Sequence, residues 1–383
     1  MSEKLYYADS HLKEFEAEVV SCARTEKGYY LTVLDRTAFF PEGGGQPGDT
    51  GVIDGTEVKD THEKNGEVCH YTEEFIEPGS RVKCRIDWAR RFNLMQNHTG
   101  EHIVSGIVNR VKGFNNVGFH MSAGFVTVDF DGELTDTELE SIEKAANGAV
   151  WENREVKTWF PSPQELESIE YRSKLELTDG VRLVEVDGYD VCACCAPHVK
   201  KTGEIGAIKI TDAMRHRGGM RITMVCGGDA LADYRTKQGN VRRISAMLSA
   251  KPEETGDAVE RVKLELSQIK TEMAELRRQM TKLKIAGLKP TEGNMCIFEE
   301  SLDMQSLREL VNAGVELCGG ICAGFVGNDN DGYNYIIGSK NADLKALAKE
   351  INSAVKGRGG GKPEMIQGSA AAGRREIETY FLK

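Results

Sequence analysis

Apolar positions along this chain change their period from one region to the next. Up to about residue 88 they alternate with polar ones in short runs: Phe15–Cys22, Tyr29–Asp35, Gly51–Val58, Glu67–Tyr71 and Arg81–Ile86. The turn pairs Lys27-Gly28, Asp54-Gly55, Asn65-Gly66 and Pro78-Gly79 separate them. A period of two over short, turn-bounded runs predicts strands, and several at this spacing predict a small β-barrel over residues 1–88. Then the period turns helical. Phe92, Met95, Ile103, Ile107 and Val111 share a face, with Asp87 as N-cap and Gly113 as stop.

From 89 to 228 helix and strand alternate. A strand is expected through Phe125–Phe130. A capped helix follows, with Thr135 and Glu138 as the capping box before Leu139, Ile142, Ala146 and Val150. Further strands are expected near Val181–Val186, Ala207–Ile210 and Arg221–Val225. Residues 229–288 read as a helical hairpin. Leu231 to Leu248 form its first arm, and Lys251-Pro252 the break. In the second arm Val259, Val262, Leu266, Ile269, Met273, Leu276, Met280 and Leu283 keep a strict 3,4 spacing, a coiled-coil seam. Residues 289–383 read as a C-terminal α/β globular domain with glycine clusters and a last helix from about Ser369. The expected fold class is thus α+β multidomain: barrel, α+β domain, antiparallel helical hairpin or coiled coil, and C-terminal domain.

Composition narrows the setting. The chain has 383 residues, 40% hydrophobic and 28% charged, enough apolar material for real cores. No run approaches the ~18 apolar residues of a transmembrane helix, and the charged start lacks the apolar core of a secretory signal. Ten cysteines then read as reduced thiols and metal ligands, and a cytoplasmic setting is expected. The net charge of −11 argues against a chain coated with nucleic acid. Residues 340–383 nevertheless hold nine Lys/Arg against five Asp/Glu. There Lys356, Arg358 and Lys362 interrupt a glycine run, a pattern that suits close approach to phosphates and equally an ordinary surface loop.

The chemistry concentrates in two short spacings. His98-Thr99-Gly100-Glu101-His102 puts two imidazoles on one helical face, and Cys194-Cys195-Ala196-Pro197-His198 adds a thiol and a third imidazole. His98, His102, Cys194 and His198 make a ligand set that suits one Zn²⁺ per chain. Whether His198 is a ligand or a neighbour stays open, since a catalytic zinc usually has three protein ligands and an open place. Read alone, Cys194 is a buried thiol, and Cys192 and Cys195 are packing. His120 and Asp129 are candidate supports for the imidazoles.

These motifs resemble the editing domain of alanyl-tRNA synthetase. There the second block usually reads Cys-Gly-Gly-Thr-His and continues Thr-Gly-Glu-Ile-Gly. Here Cys195-Ala196-Pro197 replaces Gly-Gly-Thr, and Thr202-Gly203-Glu204-Ile205-Gly206 follows. Phe39-Phe40-Pro41-Glu42-Gly43-Gly44-Gly45-Gln46-Pro47-Gly48-Asp49 resembles the glycine-rich motif of free-standing AlaX editing proteins. The segment Arg358-Gly359-Gly360-Gly361-Lys362-Pro363-Glu364-Met365 resembles the DHH-associated domain that follows the editing domain. The resemblance covers nearly the whole chain. It leaves no room for aminoacylation, because the editing-type barrel begins near the N-terminus.

What the resemblance implies is a long-form editing enzyme acting in trans. It would hydrolyse mischarged tRNA(Ala), carrying serine and also glycine, with zinc. Gln46, Thr99 and Glu101 are then candidate catalytic residues. Thr37, Gly43, Gly44 and Gly45, with Lys356, Arg358 and Lys362, are candidate substrate and tRNA contacts. A homodimer through the hairpin or the C-terminal domain is a further expectation. Two other readings stand beside it. His98-x-x-Glu101-His102 also fits an H-x-x-E-H zinc peptidase, which would make Cys194 and His198 irrelevant. Four ligands also suit a closed structural zinc in a tRNA-binding protein without activity.

Overall fold

Alternation in the first run has a direct structural result. In Arg81–Ile86 every second side chain, Val82, Cys84 and Ile86, points into a core shared with Leu34, Ile53 and Val58. The computed structural model describes residues 2–26, 28–122, 124–173 and 180–382, so Lys27 of the expected Lys27-Gly28 turn lies outside the described residues. The chain divides into two compact units, residues 1–242 and 243–383.

In the first unit six antiparallel strands are β1 (Glu14–Arg24), β2 (Tyr30–Leu34), β3 (Gly51–Ile53), β4 (Thr56–Lys64), β5 (Glu67–Thr72) and β6 (Arg81–Ile86). They close into a barrel in the order β1-β2-β5-β4-β3-β6. The single run expected over Gly51–Val58 is two strands. Asp54 and Gly55 both take positive φ, 45° and 89°, and make a two-residue hairpin whose twist matches the flanking strands.

Helix α1 (Trp88–Lys112) leaves the barrel with Asp87 as N-cap, its side chain accepting from Arg90 N, and stops at Gly113 in the left-handed region. Its middle is buried nearly all round. It lies against a four-stranded antiparallel sheet of β7 (Asn116–Ser122), β8 (Phe125–Phe130), β12 (Ile208–His216) and β13 (Gly219–Cys226), in the order β12-β13-β8-β7. Helix α2 (Asp136–Glu152), with the expected Thr135–Glu138 capping box, packs on the same core through Ile142, Ala146 and Val150. A three-stranded sheet, β9 (Val156–Trp159), β10 (Leu183–Val186) and β11 (Asp190–Ala193), carries the cysteine loop at its end. Glycine permits the close contacts of α1. A Cβ on Gly100 would stand 2.3 Å from Cys226 Sγ, and one on Gly106 2.4 Å from the Tyr189 carbonyl.

Helix α3 (Gly227–Leu248) runs from the end of the first unit into the second. Helix α4 (Thr255–Ala286) belongs to the second, and its 3,4 seam is open to solvent, from Val259 at 44% exposed to Leu283 at 74%. The sheet of this unit is β14 (Met295–Glu299), β15 (Ile321–Asn328), β16 (Gly332–Ser339), β17 (Arg358–Lys362) and β18 (Met365–Ala370), in the order β14-β15-β16-β18-β17. The parallel pair β14-β15 is joined by α5 (Met304–Leu317), as a parallel pair requires a crossover. Helix α6 (Leu344–Ala354) precedes β17. The helix expected from Ser369 begins at Arg374 as α7 (Arg374–Phe381). Ser369 itself lies in β18, where Ile366 and Ala370 are buried and the backbone pairs with both β16 and β17.

Candidate metal centre

The glycine-rich motif is first a tight turn. Gly43 and Gln46 exchange two backbone hydrogen bonds at 3.0 Å, and the residues between them, Gly44 and Gly45, have φ of 59° and 80°. Two successive positive φ values define a type I′ turn and favour glycine at both places. A Cβ on Gly45 would also stand 2.5 Å from the Phe119 ring. The turn brings Gln46 to α1, and Asp49 fixes the loop there. Asp49 accepts from Arg91 Nε at 2.9–3.0 Å, while Arg91 Nη2 donates to the Ala38 carbonyl. Both charges are fully enclosed and paired.

His98, His102, Cys194 and His198 converge, with their ligand atoms all within 4.8 Å of one another. Cys194 Sγ lies 3.6 Å from His98 Nε2 and 3.4 Å from His198 Nε2. Zinc bond lengths at a tetrahedral angle put sulfur and nitrogen ligands about 3.6 Å apart, so these distances match the edges of a zinc tetrahedron. Each imidazole has a polar side chain behind it at Nδ1, and two of the three are hydrogen-bonded there. His98 Nδ1 donates to Gln46 Oε1 at 2.9 Å. Thr99 Oγ1 is 3.0 Å from His198 Nδ1. Asp190 Oδ2 is 3.2 Å from His102 Nδ1, close but off the line of a good hydrogen bond. The three Nε2 atoms are thereby left for the centre, the arrangement that orients metal-binding histidines. Burial, then His102 and His98, holds His198 well below its ordinary range and so neutral. Burial pushes the Cys194 thiol up, and a thiolate there requires a cation beside it. The residues present fit a zinc ion.

The loop that carries Cys194 is clamped. Arg182 Nη1 donates to the carbonyls of Cys194 and Ala196 at 2.9 and 2.8 Å. Arg172 forms a bidentate pair with Asp190 at 2.7 and 2.8 Å, so Asp190 is itself held. Sequence reasoning missed Arg172, Arg182 and Asp190. None has a motif spacing to the histidines, and a lone arginine or aspartate carries no periodic signal.

The ligands sit at the wall of a cleft of about 530 Å³, lined also by Gly44, Gly45, Glu101, Asn116, Arg182 and Cys195. Glu101 accepts from Ser105 Oγ and Asn116 Nδ2, both at Oε1. Other expected site residues stand elsewhere. Thr37 is inside the barrel, 2.9 Å from His70 Nε2, and does not line the cleft. Thr99 and Gln46 are occupied behind His198 and His98, so both position imidazoles. Asp129 does not support the imidazoles. Arg221 takes both its oxygens, at 2.6 and 2.7 Å, because the two residues are cross-strand partners, and His120 is exposed on β7. In the second unit Arg358 and Lys362 end the exposed edge strand β17, but Lys356 is paired with Glu376 at 2.8 Å.

Residues 181–245, which contain Arg182, Asp190, Cys194 and His198, match the threonyl and alanyl tRNA synthetase second additional domain. Residues 3–90, the barrel, match the tRNA synthetases class II (A). The chain is thus similar both to an alanyl-tRNA editing protein and to alanine–tRNA ligases. A relative matched end to end is the alanyl-tRNA editing protein AlaX-L of Pyrococcus horikoshii, 29% identical over 100% of this chain and 98% of that protein. The alanine–tRNA ligase of Pyrococcus abyssi is 34% identical over 95% of this chain but only 41% of its own length. The chain therefore spans about two fifths of that ligase. The C-Ala domain from Aquifex aeolicus alanyl-tRNA synthetase aligns with 23% of the chain at 20% identity and a TM-score of 0.20, too low to carry weight. Among the described residues no helix is long and apolar enough to cross a membrane.

Proposed function

We propose that this chain is a zinc-dependent hydrolase of mischarged tRNA(Ala), acting in trans in the cytoplasm on Ser-tRNA(Ala) and Gly-tRNA(Ala). The observation that carries the reading is the four-ligand cluster at the wall of a cleft, with each imidazole oriented from behind. A zinc ion held by three of His98, His102, Cys194 and His198, with the fourth standing as a neighbour or yielding its place to substrate, would supply Lewis-acid polarisation of the ester carbonyl or activation of a water. The chain's own residues do the rest. Gln46, Thr99 and Asp190 hold the three rings in their tautomers. Arg182 fixes the turn that carries Cys194. Glu101 is the proton acceptor. Its Oε1 takes both hydrogen bonds from Ser105 and Asn116, which leaves Oε2 for a proton. Sparing Ala-tRNA requires a polar contact to the seryl hydroxyl, because an apolar pocket separates such a pair weakly. Glu101 and Asn116, beside the histidines in the cleft, supply that polarity.

The peptidase reading leaves Cys194 and His198 idle, whereas both lie against the histidine pair. The basic ends of β17 and the exposed seam of α4 are the candidate tRNA and dimer contacts. The test is deacylation of Ser-, Gly- and Ala-charged tRNA by one preparation. Serine and glycine should be released and alanine much more slowly. Glu101→Gln should keep its metal and lose at least about 100-fold in kcat. Equal release from all three, or from none, refutes the reading.

A further inference from the structure

Among the described residues, two exposed large apolar side chains line the metal cleft: Val117, 63% exposed, and Phe160, 52% exposed. A single exposed phenylalanine on a surface needs no explanation. One at the rim of a cleft whose wall carries the His98, His102 and Cys194 side chains does. Phe160 follows β9, and its ring meets Tyr7 edge-to-face, centroids 5.3 Å apart at 81°. That contact engages at most one face of Phe160. Tyr7, on the short helix Leu5–Ala8, lies under the Arg182 guanidinium at 5.2 Å. Arg182 is the side chain that clamps the Cys194 loop. The exposed ring is therefore tied by two contacts to the segment that presents a metal ligand, and its distance from the reacting ester is set by the fold.

Seryl and glycyl groups have no use for an aromatic wall. The other side of the scissile ester does, because it is a ribose bearing a nucleobase, and every base has a face that stacks on an aromatic ring. We propose that Phe160, braced by Tyr7, is the stacking platform for the nucleobase of the nucleoside that carries the ester. The proposal rests on the hydrolase reading above and deepens it. It makes Phe160 a binding residue that holds the terminal nucleoside so that its ester reaches the histidine cluster.

The test uses two non-hydrolysable probes, 3′-(L-seryl)amino-3′-deoxyadenosine and the same molecule with hydrogen in place of adenine. Binding of each is measured by calorimetry on the full chain. The wild type should bind the base-bearing probe about tenfold more tightly than the abasic one. Phe160→Leu should abolish that advantage while leaving abasic affinity unchanged, and Phe160→Tyr should restore it. Equal affinity of the wild type for both probes, or an advantage that survives Phe160→Leu, overturns the proposal. The hydrolase reading fails separately, if the wild type leaves Ser-tRNA intact while the probes bind as described.

Discussion

His70 in the barrel and His98 in the cleft are both enclosed imidazoles with Nδ1 in a 2.9 Å contact, to the Thr32 carbonyl in one case and to Gln46 Oε1 in the other. They part at the second nitrogen. His70 Nε2 meets the Thr37 hydroxyl at 2.9 Å, so both ring nitrogens are used within the barrel wall. His98 Nε2 turns toward Cys194 and the other two imidazoles. Burial is common to both and distinguishes nothing. What separates a packing histidine from a ligand is where the second lone pair goes. Three rings, two with Nδ1 hydrogen-bonded and the third with Nδ1 facing the Asp190 carboxylate, gather around one point and make a centre that asks for a cation.

The largest effect expected from this contrast is loss of metal. His102→Ala with Cys194→Ala should remove two of four ligands and leave less than a tenth of the one equivalent of zinc expected in the wild type, by atomic absorption. His70→Asn should leave zinc unchanged. Full zinc in the first variant, or none in the second, would break the distinction between the two regions.

The next effect is on stability against pH. Burial lowers His70 from the ordinary 6.5 to about 4. Between those values the unfolded chain binds a proton that the folded chain refuses, so stability falls as pH falls through that window, by roughly 3 kcal/mol at most. The difference between wild type and His70→Asn in denaturant midpoint, followed from pH 7 to pH 4, isolates this slope. Parallel curves would contradict it.

A smaller effect belongs behind the ligands. Asp190→Asn removes the charge that faces His102 Nδ1 and leaves Arg172 unpaired; zinc affinity should drop about 10- to 100-fold in a chelator competition. An unchanged affinity would mean that the bent contact at 3.2 Å does no orienting. The smallest concerns Thr37. Thr37→Val should cost about 1 kcal/mol of stability by leaving His70 Nε2 without its donor, and should not alter the ratio of Ser-tRNA to Gly-tRNA hydrolysis. A changed ratio would return Thr37 to the cleft.

The clustering of His98, His102, Cys194 and His198 is legible in the sequence because helical i, i+4 spacing is a geometric statement, and because Cys194 and His198 repeat it in a compact loop. The caps at Asp87, Gly113 and Thr135 were legible for the same reason: each is a local rule with a residue type attached. What lay behind the ligands was not. Asp129 is near α1 in sequence, yet strand pairing delivers it to Arg221. Asp190, 88 positions after His102, comes to the ring because β11 packs on α1. Gln46 reads from the sequence as a candidate catalytic residue, but the I′ turn at Gly44-Gly45 hands its oxygen to His98. Tertiary placement decides such partners, and no period in the chain encodes it. The split of Gly51–Val58 into two strands was available in Asp54-Gly55, a hairpin pair that the apolar run around it obscured.

The strand β17 leaves one more trace. It is the outer strand of its sheet, all five of its residues are exposed, and three of them are glycine. The Gly359 carbonyl accepts from Asn352 Nδ2 at 2.9 Å, and unpaired backbone groups along such an edge invite another strand to add on, which is how sheet proteins aggregate. Here the edge begins with Arg358 and ends with Lys362. If two copies paired antiparallel about Gly360, Arg358 of each would face Lys362 of the other, cation against cation at both ends. The two cations at the ends of the edge therefore disfavour its pairing with a second copy of itself.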